Sequence, residues 1–319
     1  MELRSLGTSE VKITPIIMGT WQAGKDMWVG IDDSETIEAL RAAFEAGITT
    51  IDTAEYYGNG HSERIIGEAL ADVRDQLVYA TKVFSNHLRY DQVMQACHGS
   101  LKNLKTDYLD LYQIHWPAGS WGTELVPIEE TMRALNDLKK QGKIRAIGVS
   151  NFSRVQLEEA SGHGRIDSLQ PPYSLFWRNL EKDALDYCID KNITVLAYSS
   201  LAQGLLTGKF GPGHKFAKGD HRAKNRLFQA DNYQRVQRAL DSLRPIAGRY
   251  GVNLAQLALA WLIAQPQTCA IAGARKAEQI VDNAKAVELE LLPEDLEEMD
   301  AIGRTVTDHL DDNPVMWEF

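Results

Sequence analysis

An eight-unit parallel barrel, the (β/α)8 TIM barrel of the α/β class, is the fold this sequence predicts, and three observations predict it. Short β-branched runs alternate with stretches of helical period along the chain. Eight such units fit within its 319 residues. No linker or low-complexity stretch divides them, so residues 1–319 read as a single domain. An open doubly wound sheet shares the alternation and is the main competitor.

The elements follow in chain order. LRSLGTSEVKI, near the start, reads as a hairpin with Gly7-Thr8 in its turn. The strand-like runs are TPIIMGT, TTIDTA, LVYATKV, YLDLYQIHW, IRAIGVSN, DSLQPPYS, ITVLAYSS and TCAIAGA. The first helical stretch, DDSETIEALRAAFEAG, sets Ile37, Leu40 and Phe44 on one face, offers Asp33 and Ser34 as its cap and stops at Gly47. PIEETMRALNDLKKQG repeats the grammar, with Pro127 in the first turn, Met132, Leu135 and Leu138 as the stripe, and Gly142 after it. After the seventh strand, residues 203–233 make a Gly-rich, charged excursion longer than a plain connection, and so a candidate functional loop. The C-terminal tail, DDNPVMWEF, ends in apolar residues that would fold over the barrel or meet another subunit.

Composition narrows the function. A formal net charge of -10 argues against nucleic acid, whose phosphates demand a basic footprint. Cys97, Cys188 and Cys269 lie far apart without CxxC spacing, which disfavours a disulfide framework or a structural metal and fits a reducing compartment. With neither an apolar leader nor a long apolar run, the expected setting is cytoplasmic, with no membrane partner and no metal.

In such a barrel the C-terminal strand ends form the active-site face. Three successive runs end in polar residues: Asp52 closes TTID, Lys82 closes LVYATK, and His115 closes LYQIH. Each separation is about one strand-helix unit, so the three converge on one rim, and Tyr57 lies in the loop that leaves the first of them. A phenol is a feeble acid at neutral pH, and an adjacent ammonium lowers its pKa; Lys82 would supply that charge, Asp52 would keep Lys82 charged, and His115 would orient a bound carbonyl. The set suits proton donation to an oxygen becoming an alkoxide. Taken singly, each residue also has a structural reading, as loop cap, snorkelling lysine, core tyrosine or satisfied histidine. Only the joint arrangement points to chemistry.

DTAEYYGNGHSE, ATKV, YLDLYQIHWP, IGVSNF, AYSSLAQGLLTGKF and AGARKAEQIVDN, in this order and at these spacings, resemble the aldo-keto reductases over essentially the whole chain. The resemblance implies that the N-terminal hairpin plugs the barrel floor. It also implies a catalytic tetrad of Asp52, Tyr57, Lys82 and His115, with Tyr57, which directly precedes Gly58, as general acid in carbonyl reduction and general base in alcohol oxidation. Tyr56 is the packing neighbour. His115 stands where the double-bond reductases of the family carry glutamate, which favours carbonyl chemistry.

By the same resemblance the cofactor is NADP(H), preferred over NAD(H), held without a GxGxxG fingerprint. Gly19, Thr20, Trp21 and Asp52 border it; Ser150, Asn151 and Gln170 match the carboxamide contacts; Tyr198 matches the aromatic that stacks on the nicotinamide. Ser199, Leu201, Gln203, Gly204 and Lys209 would wrap the pyrophosphate. The common Lys-Ser pair and later arginine are replaced here by Gly273, Ala274 and Gln279, and the GARK form is similar to the bacterial and plant-like branch that includes potassium-channel β-subunits. Arg275, Gln279 and Asn283 then become the adenosine-end contacts. A helix start bearing Arg275 and Lys276 suits a 2′-phosphate, although the pair also reads as the decoration of a solvated helix end.

Trp21, Trp28, Tyr57, His115 and Trp116 are the expected substrate pocket, with apolar walls around one polar cluster suited to small or aromatic aldehydes and ketones, and hence to carbonyl detoxification. The expected protein is an NADP-dependent oxidoreductase, a monomer or weak homo-oligomer. Two alternatives stay open: a cofactor-sensing interaction protein similar to channel β-subunits, and a Schiff-base aldolase using Lys82.

Overall fold

The computed structural model describes residues 1–26 and 28–316. Strands β1 (Arg4–Ser5) and β2 (Lys12–Ile13) form an antiparallel hairpin. Eight parallel strands follow: β3 (Ile16–Gly19), β4 (Thr50–Asp52), β5 (Val78–Val83), β6 (Leu109–Ile114), β7 (Ile144–Ser150), β8 (Ser168–Gln170), β9 (Thr194–Ala197) and β10 (Thr268–Gly273). They close in chain order, with β10 paired to both β9 and β3, so the sheet is a barrel and the doubly wound alternative is excluded.

The crossovers carry α1 (Asp33–Glu45), α2 (His61–Ala69), α3 (Tyr90–Asn103), α4 (Ile128–Lys140), α5 (Arg154–Ser161), the short pair α6 (Leu180–Asp183) and α7 (Leu185–Asp190), and the longer pair α8 (Ala230–Tyr250) and α9 (Leu254–Ile263). Beyond β10 come α10 (Ala277–Ala284) and α11 (Pro293–Thr307). The α4 stripe of Met132, Leu135 and Leu138 is buried as expected. On α1 the expected stripe is rotated. Thr36, Ala39, Leu40 and Ala43 are buried, while Ile37 and Phe44 are half-buried, because small residues let the helix sit close to the sheet. Its cap is Asp32, one residue before the expected pair, whose carboxylate accepts from the backbone N–H of Ser34 (2.8 Å) and Glu35 (3.3 Å).

The two-residue period of the strands builds the site. Inward positions are apolar near the floor, where Ile17, Ala80, Leu111, Ala146, Leu196, Cys269 and Ile271 pack against Leu6, Val11 and Ile13 of the hairpin. One step up they turn polar: Ala80 gives way to Lys82 and Leu111 to Gln113, while β8 is polar at both Ser168 and Gln170. The barrel is therefore a greasy plug under a polar mouth. The segment after α11 returns across the loop that follows β8, where Trp177 Nε1 donates to the Pro314 carbonyl (3.1 Å) and Met316 is buried. The end of the expected tail, residues 317–319, lies outside the described residues.

The hairpin plugs the floor through its turn. Gly7 donates its N–H to Thr194 Oγ1 (2.8 Å), adopts φ +56°, and leaves no room for a Cβ, which would stand 2.6 Å from the Asp167 carbonyl oxygen. Gly7→Ala is expected to destabilise the fold by roughly 1–3 kcal/mol, read as a lower urea midpoint, with kinetics of the surviving native protein unchanged.

Candidate active site

At the mouth, Lys82 is fully buried and its ammonium donates to Asp52 Oδ1 (2.7 Å), to the Thr53 carbonyl (2.7 Å) and, more loosely, to the Tyr57 hydroxyl (3.4 Å). Asp52 Oδ2 accepts from Gln170 Nε2 (2.8 Å), with Gln113 Nε2 at the margin (3.5 Å). Both carboxylate oxygens thus have donors, which is what a buried charge requires. The His115 ring meets the Tyr57 ring edge-on at 5.6 Å and the Phe84 ring at the same distance, and Phe84 stacks on Tyr56 at 4.0 Å. The four residues expected to converge do so. Their loop is held tightly: Gly58, at φ +61°, packs against Gly24, and a side chain there would collide with the Gly24 carbonyl.

One electrostatic expectation is reversed. Burial, reinforced by Asp52, drives the Tyr57 phenol well above its ordinary value, so desolvation outweighs the ammonium beside it. Lys82 is pulled below the usual lysine value by burial, against which Asp52 pushes back. His115 is driven well below the ordinary imidazole range by burial and by Lys82, and it is neutral near pH 7 with Nδ1 unpartnered among the described residues. The resting site holds a protonated phenol beside a neutral imidazole.

A second group surrounds the mouth. Asn151, at φ +61° just past β7, accepts from the Tyr198 hydroxyl (2.8 Å) and donates to the His115 carbonyl (3.1 Å) and Ser150 Oγ (3.1 Å), while Ser150 Oγ donates to the Gln170 carbonyl (2.7 Å). Gln170, expected at a carboxamide, spends its Nε2 on Asp52. Thr20 ties its N–H (3.0 Å) and hydroxyl (2.8 Å) to the Asp52 carbonyl. Gly19 and Gly273 pair across β3 and β10, joined by Gln22, whose Nε2 reaches the Gly19 (3.1 Å) and Ala274 (2.8 Å) carbonyls. The turn after β9 carries Ser199, Ala202, Gln203 and Gly204 at positive φ, Leu201 lies between them at negative φ, and Asn225 Nδ2 pins Gln203 Oε1 (3.0 Å).

The long loop then delivers what sequence reading missed. Arg222 is buried and paired with Asp220 (Nε to Oδ1, 2.9 Å), and it faces Lys209 and Arg275: burial and Arg222 push both down, and Arg275 adds to the effect on Lys209. Three cations share one aspartate. Trp28, expected in the substrate wall, is drawn instead to this group, with the guanidinium carbons of Arg222 and Arg275 each 5.2 Å from its ring and the rings of His221 (4.6 Å) and Trp21 (5.3 Å) against it. Trp116 packs edge-on to Trp121 at 5.4 Å beside His115. Gln279 caps α10, its Oε1 accepting from the Arg275 (2.8 Å) and Lys276 (3.3 Å) N–H groups, so its carbonyl is committed to the helix; Asn283 is buried one turn on. Only DHR, residues 220–222, signalled Arg222 in sequence, and Lys215, Lys218 and Lys224 hid it.

The family model described as "Aldo/keto reductase family" matches residues 15–304. The chain belongs to the aldo/keto reductase family. It is 39% identical to "Aldo-keto reductase YhdN" of Bacillus subtilis over 97% of this chain and 96% of that protein, and 34% identical to the "NADH-specific methylglyoxal reductase" of Escherichia coli over 90% and 93%. A "Probable voltage-gated potassium channel subunit beta" of Oryza sativa is 33% identical over 95% and 96%, in keeping with the branch the sequence resembles. Among solved structures, the glycerol dehydrogenase AKR11B4 of Gluconobacter oxydans superposes with TM-score 0.85 at 35% identity over 99% and 98% of the two chains. An aldo-keto reductase of Klebsiella pneumoniae in complex with NADPH gives 0.77 at 30% over the whole of both. Among the described residues no group of three or more His, Cys, Asp or Glu side chains could hold a metal ion, and no helix is long and apolar enough to cross a membrane.

The neutral His115 has a consequence for stability. An unfolded histidine takes up a proton below about pH 6.5, whereas the folded one resists it, so the unfolded state binds more protons and stability falls as pH drops through that value. His115→Gln removes this linkage. Comparing urea unfolding of the two proteins between pH 7 and 5, the wild type should lose up to about 1.4 kcal/mol per pH unit more than the variant.

Proposed function

We propose that this protein is an NADPH-dependent carbonyl reductase of the cytoplasm that converts small aldehydes and ketones to alcohols, with Tyr57 as the general acid. The observation that carries the reading is the buried Lys82 ammonium spanning the Asp52 carboxylate and the Tyr57 hydroxyl beside a neutral His115. Two buried polar atoms without partners among the described residues, Arg275 Nη2 and Gln203 Nε2, together with the Lys209, Arg222 and Arg275 cations, fit a phosphate-bearing cofactor. Tyr198 and the Ser150, Asn151 and Gln170 group would receive the nicotinamide end. When bound, the cofactor supplies hydride to the carbonyl carbon.

The chain's own residues handle the oxygen. A neutral imidazole at His115 donates one hydrogen bond to the carbonyl and fixes its direction without delivering a full charge. As the oxygen gains negative charge, Tyr57 releases its proton to it, and an alkoxide, being a stronger base than a phenolate, draws that proton downhill even from a phenol of raised pKa. Lys82 then faces a phenolate, and the ammonium held by Asp52 stabilises that anion. The Lys82 effect is thus realised after proton transfer rather than in the resting state, which is differential stabilisation of the kind catalysis needs. Phe84, Tyr56, Trp116 and Trp121 wall the approach with aromatic surface. The methylglyoxal reductases and the glycerol dehydrogenase among the relatives support small oxygenated carbonyl compounds as the first class to test.

The first assay is oxidation of NADPH and of NADH with methylglyoxal and an aromatic aldehyde. Turnover supports the reading; tight NADPH binding without turnover shifts it to a cofactor-sensing role, and borohydride trapping of a carbonyl on Lys82 without nicotinamide would replace it with aldolase chemistry. Tyr57→Phe should lower kcat about 10²–10⁴-fold while NADPH still binds, as measured by fluorescence titration. An unchanged kcat would remove Tyr57 from the acid role. Arg275→Ala should weaken NADPH about ten- to a hundredfold and NADH little, and equal weakening of both would refute a contact with the 2′-phosphate.

A further inference from the structure

Near the mouth lies a second buried carboxylate that the chemistry above does not use. Glu63, in the first turn of α2, has no solvent exposure. Its Oε1 accepts from the Thr81 hydroxyl (2.7 Å) and its Oε2 from Asn103 Nδ2 (3.0 Å). Thr81 precedes Lys82 on β5, and strand alternation sends Lys82 into the barrel and Thr81 out toward α2. Glu63 therefore meets the strand from the helix side, at the residue next to Lys82. The neighbouring Ser62 is knitted to the same strand ends, receiving the Thr53 hydroxyl (2.9 Å), sharing a hydrogen bond with Thr20 Oγ1 (2.8 Å) and donating its N–H to the Tyr57 carbonyl (3.2 Å). The turn that receives the Tyr57 loop is thus fastened to β3, β4 and β5.

Burial pushes the Glu63 carboxyl above its ordinary value, and the Asn103 and Thr81 donors pull against it, because an amide nitrogen only donates and so favours an anionic oxygen. Facing Lys82 are Asp52 from β4, Glu63 from α2 and His115 just past β6; both carboxylates support the ammonium. Facing Glu63 are Lys82 and, as a like charge, Glu55 of the Tyr57 loop, with the Cys97 thiol of α3 kept protonated by burial.

We propose that Glu63 is a positioning residue: its carboxylate supports the Lys82 ammonium from the helix side of the sheet while clamping the first turn of α2 to β5, so that Lys82 stays charged beside Tyr57. This rests on the reductase reading only for its kinetic consequence; the charge coupling stands apart from it.

The test uses Glu63→Gln, which keeps the shape and removes the charge, and Thr81→Val, which removes one hydrogen bond to that charge. In the cofactor-free protein, urea unfolding from pH 7 to 10 reads the coupling. The support exists only while Lys82 is charged, and Lys82 loses its proton in the folded state before the unfolded value of about 10.5 is reached, so the loss caused by Glu63→Gln should shrink as pH rises. In turnover, the alkaline limb of kcat/KM should move down by about half a pH unit in Glu63→Gln and by less in Thr81→Val, with KM for the carbonyl unchanged. A loss of stability equal at every pH, or an alkaline limb that stays in place, overturns the proposal and leaves Glu63 a plain structural pin. Absence of turnover in the wild type would instead refute the reductase reading, and the unfolding arm would still decide the role of Glu63.

Discussion

The interaction on which the rest of this structure depends is the burial of the Lys82 ammonium against the Asp52 carboxylate. Removing both charges from water costs several kcal/mol per ion before their attraction is counted, so the pair persists only where further donors and acceptors complete each group. The Thr53 carbonyl accepts one hydrogen bond from the ammonium, and Gln170 Nε2 donates to the second oxygen of Asp52. These partners come from β4 or its end and from β8, on opposite sides of the barrel, so a closed sheet is the condition for a completed pair. An open sheet would leave one side of the aspartate without its donor.

That dependence explains why so much was legible. A closed parallel barrel repeats one local rule eight times, and the residue type at each strand end reports what lies at the mouth. Asp52, Lys82 and His115 were readable because each ends an apolar run at about one unit's spacing, and Tyr57 because it precedes the glycine that turns its loop. The hairpin was readable from Gly7-Thr8. What the period does not carry stayed hidden. Arg222 sits in a single 3-10 turn (His221–Lys224) of a long loop, among other cations that look alike in sequence. Trp28 was expected in the substrate wall as a tryptophan in a loop or strand end at the mouth, but its ring follows the guanidinium groups of Arg222 and Arg275, which are far away in the chain. The direction of the Tyr57 shift depends on how completely water is excluded, which residue types alone do not reveal.

The loop that hid Arg222 is anchored through two successive residues near its C-terminal end. Asn225 fastens it to the turn after β9 through Gln203, and the Arg226 N–H donates to the Met316 carbonyl of the C-terminal segment (2.9 Å). Around these anchors, Asp220 pairs with Arg222, and the Phe210, Phe216 and Phe228 rings pack on one another. A loop held by backbone and side-chain bonds spends its ordering entropy during folding, so cations it presents are already in place for an anionic ligand.

Preorganisation also stores a cost. Lys209 and Arg275 lie where burial and Arg222 disfavour their charges, in a protein whose overall charge is -10. A group of like charges gathered against that background is unfavourable by itself, and one aspartate relieves only part of it. A dianionic phosphate would relieve the remainder, and the lower the surrounding dielectric, the larger that relief. The polar mouth and the cationic groove thus follow one design. Each buries charge in a dry setting, but the Lys82–Asp52 pair is completed within the fold by the Thr53 carbonyl and Gln170, whereas the groove's cations share one aspartate and would gain from a ligand's phosphate.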